Sequence, residues 1–254
     1  GKNLIQLVMI ASLCPLEWTD YHTLEEIYDW LDVIQSKYRS VVTPFSIGKS
    51  YEGRVIRGIK ISYKKGNRAV FIEANIHARE WISSATTTWV INQLLTSADP
   101  SVRDLAENID WYIIPVLNAD GFSYSHTKNR MWRKTRKPYS NGCYGADPNR
   151  NFDFMWMAAG ASNDPCSDTY AGPQAKSEPE VAALSRFVKK LDKIDLYISM
   201  HSFGQVLLSP WGHTNDFPRN YDEILAVAKG FADAAKFKFG TQFRYGSSAA
   251  ISCK

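Results

Sequence analysis

With 254 residues, 44% of them hydrophobic and 22% charged, the chain is long enough to bury one sizeable core and has the composition of an ordinary globular protein. Its net charge of +4 is too mild to argue by itself for nucleic acid or an acidic membrane as partner. The four cysteines, Cys14, Cys143, Cys166 and Cys253, form no Cys-x-x-Cys pair, which excludes a zinc ribbon.

In chain order, Lys2 is followed by an apolar run, Leu4 to Leu13, of the length of a signal-peptide core and too short to span a bilayer. We read residues 1–17 as the remnant of a secretory leader outside the fold, a misassembled leader or a core segment being the alternatives, and residues 18–254 as one domain. Thr23 to Tyr38 predicts an amphipathic helix: Thr23 and Glu26 make a capping-box pattern, and Leu24, Ile27, Tyr28, Leu31 and Ile34 recur at helical spacing. Val55 to Ser62 alternates like a strand, Lys64-Lys65-Gly66-Asn67 is a turn, and Ala69 to Ala74 is a second strand, which together predict a β-hairpin. A helix is expected over Ile82 to Leu95 and a short strand over Trp111 to Val116.

Periodicity then disappears between Gly121 and Pro173, and irregular stretches of that length are usually functional or disordered. Ser177, with Glu180 three residues on, predicts the start of a helix reaching Lys190. Strands are expected at Asp195 to Met200 and Gln205 to Ser209, and a last helix at Tyr221 to Lys236. This order implies an α/β fold: a single domain with a mixed, mostly parallel central sheet flanked by helices on both faces. Ligands of such sheets bind beyond the carboxyl ends of the strands, where His77 and His201 both fall.

Two stretches carry residues suited to chemistry at that edge. His77 and Glu80, three apart, can aim two donors at one ion, and His201 adds a remote third; two imidazoles and a carboxylate make a catalytic zinc set with one position left open. In Asp147-Pro148-Asn149-Arg150-Asn151, the arginine offers a fork that matches a carboxylate bidentately, and Asp147 can orient a metal-bound histidine through its other nitrogen. A third stretch, Lys128 to Lys137, holds six basic residues in ten, which reads either as a phosphate-binding stripe or as a solvated loop with one or two functional arginines. Cys143 and Cys166 lie in loop sequence; a disulfide and two free buried thiols both satisfy these residues alone.

Taken together, the stretches Asn75 to Trp81, Pro115 to Gly121, Asn129 to Lys134, Asp147 to Asn151 and Met200 to Phe203 resemble the zinc metallocarboxypeptidases of the pancreatic A/B type, insect digestive forms included. Order and spacing agree from about Trp18 to Gly246. The resemblance implies one Zn2+ held by His77, Glu80 and His201, with Asp147 behind the first histidine. It further implies that Asn149 and Arg150 hold the substrate's terminal carboxylate, that Arg133 meets charge on the scissile carbonyl oxygen, and that Arg79 lines the next subsite outward. Arg130, Ser202 and Phe203 would shape the groove, and Cys143 and Cys166 fall where that family has a disulfide.

The expectation is therefore a secreted, monomeric exopeptidase acting on peptides with a free C-terminal carboxylate, with neither nucleic acid nor membrane as partner. Where the family's pattern continues to a tyrosine, a pocket-floor residue and a general-base glutamate, this chain has Ser252-Cys253-Lys254. On that ground the domain is expected to lack its C-terminal strand and helix and to cleave poorly. The alternatives are a non-catalytic protein that binds zinc or peptide C-termini, and nucleic-acid binding through Lys128 to Lys137, which no recognition motif accompanies.

Overall fold

The computed structural model describes residues 16–191 and 193–252. The leader expected over residues 1–17 falls outside these as far as residue 15, while Leu16 is already buried in the core beside Trp30 and Leu31. Helix α1 spans Leu24–Lys37 and begins as its sequence demands: the Thr23 side chain accepts from the Glu26 amide while Glu26 reaches back to the Thr23 amide.

Strands β1 (Val42–Lys49), β2 (Val55–Ile61), β3 (Arg68–Ala74), β4 (Ile109–Ile114) and β5 (Ile194–Met200) make a five-stranded sheet in the order β1-β2-β4-β3-β5. The β1–β2 and β2–β4 pairs are antiparallel, and β3 pairs in parallel with both β4 and β5. The sheet is thus mixed, as expected, but the hairpin is a different one. β2 and β3 do not pair, because β4 lies between them; the hairpin is β1–β2, whose first strand the sequence reading passed over. The reason is visible in β3, which is buried on both faces along all but its first residue and so belongs at the sheet's centre rather than in a two-stranded ribbon.

Helices cover both faces. On one side α1, α2 (Trp81–Thr96) and α3 (Pro100–Asn108) bury Trp30, Leu31, Ile34, Ile91, Leu94 and Ala106 against β2, β3 and β4. On the other, α5 (Pro179–Val188) sets Leu184 against Ile56, Phe71 and Ile114. A helix α4 (Ala119–Thr127) fills the start of the stretch that lacks periodicity and packs Phe122 on α1. α5 does not begin with the expected capping box. Glu178 is its N-cap, Pro179 opens it, and the Glu180 carboxylate turns away to accept from the Tyr51 amide.

After β5 the chain forms a separate parallel pair, β6 (Val206–Ser209) with β7 (Arg244–Ser247), joined by α6 (Tyr221–Phe239) and followed by α7 (Ser248–Ser252). Among the described residues, no helix is long and apolar enough to cross a membrane.

The irregular stretch between α4 and α5 is cross-tied. Residues 135–139 run antiparallel to 143–146, with the Thr135 amide donating to Ala146 and Gly145 to Lys137. Gly145 has φ +74°, and a Cβ there would lie 2.0 Å from the Thr135 carbonyl oxygen, so only glycine permits this approach. Cys143 and Cys166 are disulfide-bonded across the loop. The Asn151 side chain donates to the carbonyls of Ala171 and Gln174 and to Ser177, and accepts from the Glu178 amide, so it clasps both ends of the intervening segment.

Candidate metal centre

The parallel strands β3, β4 and β5 end on one side of the sheet, and each leads into a residue that builds the centre. At the end of β3, Asn75 takes a left-handed conformation (φ 57°) that turns the chain out of the sheet toward His77. Its amide donates to Ser83 and its side chain to the Glu80 carbonyl, pinning the turn to the start of α2. At the end of β4, the buried Asn118 caps α4 through Gly121 and donates to the carbonyls of Ile76 and Lys134. One side chain thus holds together the segments that carry His77 and Arg133. β5 ends at Met200 and delivers His201.

Glu80 is the N-cap of α2 but leaves that role to its backbone, and its carboxylate faces the histidines. His77 Nδ1 lies 2.9 Å from Glu80 Oε1, and His201 Nδ1 lies 2.9 Å from Glu80 Oε2. Donor atoms of His77, Glu80 and His201 all fall within 4.8 Å of one another. The ligand triad expected from sequence therefore converges.

The far nitrogens explain the near ones. His77 Nε2 is 3.1 Å from Asp147 Oδ1, a carboxylate that only accepts, so Nε2 carries a hydrogen. In the neutral ring Nδ1 is then an acceptor, facing another acceptor at hydrogen-bond distance. A proton shared between them or a cation held by the three groups resolves this. Two imidazole nitrogens and one carboxylate are a donor set that fits Zn2+.

The same contacts set the charge of these groups. Burial works to raise the Glu80 pKa, but the bonds from His201 and His77 outweigh it and hold the carboxylate at about 2. Burial would lower the His77 pKa, yet Asp147 and Glu80 raise it. Asp147, fully buried, is brought to about 2 against the cost of burial by His77 and by the Arg133 guanidinium. Arg133 donates through Nε at 3.2 Å and Nη2 at 2.8 Å to Asp147 Oδ2. The Asn149 amide donates to Asp147 Oδ1 at 2.9 Å, which fixes the turn Pro148–Arg150.

The remaining predicted residues take two positions. Arg150 is held by the carbonyls of Gly160 and Asn149, and its neighbour Asn149 is exposed. Arg130 stacks over Trp81, 3.7 Å from the ring centroid, and donates to the Arg79 carbonyl; Arg79 in turn reaches the Met131 carbonyl and Asp168. Ser202 is half-buried, while Phe203, with φ 65°, is 89% exposed. The basic run is not an open stripe: Arg133 and Lys137 bond Asp147 and the Ser177 carbonyl, and Lys134 is buried on the Pro165 carbonyl. Arg136 lies over the rings of Tyr124, Trp132 and Tyr144. Glu73 and Ser199, which sequence reasoning missed, also reach the centre, Ser199 contacting both Glu73 and His201. The available signal was a single acid inside the otherwise apolar run Ala69 to Ala74.

The model of the family described as "Zinc carboxypeptidase" matches residues 27–254. "Zinc carboxypeptidase A 1" of Anopheles gambiae is 49% identical over 92% of this chain and 54% of its own length. "Zinc carboxypeptidase" of Simulium vittatum is 50% identical over 89% of this chain and 75% of its own. Among solved structures, the carboxypeptidase A of Helicoverpa armigera superposes with a TM-score of 0.87 at 32% identity, over 93% of this chain and 59% of that one. The chain thus spans between about half and three quarters of the length of these proteins.

Proposed function

The chain belongs to the zinc carboxypeptidase family, and from that premise we propose that it is the catalytic portion of a secreted exopeptidase that releases residues from the C-terminus of peptides. The observation that supports this most is the convergence of His77, Glu80 and His201 beside a guanidinium already tethered by Asp147. His77, Glu80 and His201 hold one zinc ion, which when bound supplies Lewis acidity and a more acidic water.

The other residues do the binding and orienting. Arg150, anchored by two carbonyls, offers its planar fork to the terminal carboxylate, and Asn149 joins it. A free C-terminus is then required, which makes the reaction exopeptidic. Arg133, fixed at one edge by Asp147, presents its guanidinium to negative charge developing on the scissile carbonyl oxygen; one such donor is typically worth about 3 kcal/mol. Asp147 holds His77 in one tautomer and Arg133 in one place. Arg130, stacked against Trp81, and Arg79, whose carbonyl it holds, form the outer rim with Ser202 and Phe203. Secretion is in keeping with the Cys143–Cys166 bridge, since such bonds persist in oxidising compartments.

Metal content of the purified chain tests the reading. One zinc per chain, lost in His77→Ala, is expected, and any release of C-terminal residues from peptides is expected to stop when the peptide terminus is amidated. A chain without zinc would sink the proposal. Zinc without any cleavage would shift it to a protein that only binds peptide C-termini.

A further inference from the structure

Of the two histidines of the centre, only one has a partner that sequence could reveal. The geometry points to Ser199 and Glu73 as a positioning pair for His201, the counterpart of Asp147 for His77. This inference rests on the zinc reading of the centre.

Parallel pairing of β3 with β5 sets Glu73 directly beside Ser199. Ser199 is the last residue but one of β5, and its hydroxyl meets the ring of His201 just past the strand's end. The Ser199 hydroxyl donates to Glu73 Oε1. Its one hydrogen being spent there, the serine oxygen accepts, and His201 Nε2 at 3.2 Å is the donor. Nε2 therefore carries the hydrogen and Nδ1 is left with its lone pair toward Glu80, at 2.9 Å. The outcome matches that at His77, reached through a hydroxyl instead of a direct carboxylate bond.

Glu73 is built for this. It is 1% exposed, and one row back along the sheet Phe71 and Tyr197 stack at 5.2 Å. Among the described residues its other oxygen has no hydrogen-bond partner and the one partner of Oε1 is the neutral Ser199, whereas Asp147 has Arg133. A buried carboxylate so placed is costly in isolation. Beside a divalent cation it adds favourable charge, and partners of this kind are worth 10- to 100-fold in metal affinity.

The test is competition for zinc against a chelator of known affinity, with the full chain. Ser199→Ala is expected to weaken binding about 10-fold, and Ser199→Thr, which keeps the hydroxyl, to restore it. Glu73→Gln is expected to weaken binding as well, and the double variant to lose no more than the larger single loss, because the two act in one chain. Long-range 1H–15N spectra of the zinc-free chain at alkaline pH give an independent readout: the His201 ring should be Nε2-protonated in the wild type and a tautomer mixture in Ser199→Ala. Should Glu73→Gln not fold, the serine pair of variants still decides. Wild-type zinc affinity in Ser199→Ala with an unchanged tautomer would overturn the inference and leave the centre itself intact. A wild-type chain that binds no zinc would instead defeat the reading of the centre.

Discussion

The stretch from β2 to α4 and the stretch after His201 both mix strands and helices, yet they are packed differently. In the first, Ile59, Ile61, Phe71, Ile113 and Ile114 are all 1% exposed or less. In the second, α6 buries Ala232 alone among its nineteen residues and leaves Val227, Phe231, Phe237 and Phe239 at the surface. The candidate centre sits on the seam. His77 and Glu80 are each 3% exposed, whereas the His201 side chain keeps 34%. One wall of the site is therefore held by a dense core and many bonds, the other by a short strand end and the contacts of a single imidazole. Such a site is only as well defined as its looser wall, which is why what touches His201 matters.

Paired truncations are the strongest way to break this contrast. Ile113→Ala, in the fully buried centre of β4, is expected to cost about 4 kcal/mol of stability in urea unfolding, while Val227→Ala on α6 should stay within about 0.5 kcal/mol. Equal losses would erase the distinction. A smaller effect follows from making His77 resemble His201: Asp147→Asn removes the charge that Arg133 and His77 share, at about 3 kcal/mol, and should also weaken zinc binding. Smaller again is a pH effect confined to the well-packed part. Burial pushes the Glu180 carboxyl up to about 7, with the Tyr51 amide working against it. Its folded pKa lies above the unfolded one of about 4.3, so the stability it contributes is complete below that value and is lost as pH rises to about 7. Glu180→Gln should flatten the pH dependence of unfolding between pH 5 and 7 by about 2 kcal/mol. An unchanged slope would mean that the carboxyl is solvated.

How much of this was legible depends on how local each signal is. α1 could be read to the residue at its start because the capping box and the apolar spacing lie within one segment. The β2–β3 hairpin was misread because nothing near Lys64 to Asn67 reveals that β4, some forty residues on, takes the place between them. α3 was overlooked although Asp99 caps it and Pro100 opens it, since its surface is polar and only Ala106 is buried. α4 is a run of poor helix formers that stands because Asn118 caps its first turn and Phe122 packs on α1. At Ser177 the sequence carries a capping-box pattern, but Glu180 answers to Tyr51. In the centre, His77 and Glu80 announce themselves by spacing, and His201 by its place after a strand. Glu73 and Ser199 meet only through strand register, which no short window contains.

The Asn151 clasp has a consequence for variation. By joining the carbonyls of Ala171 and Gln174 to the Glu178 amide, one amide side chain closes a ring whose circumference lies wholly outside it. The free energy of closing such a ring grows only logarithmically with its length. Length changes between Phe152 and Gly160 are therefore expected to leave Asp147 little altered, provided the clasp stays shut and the Gly160 carbonyl still meets Arg150.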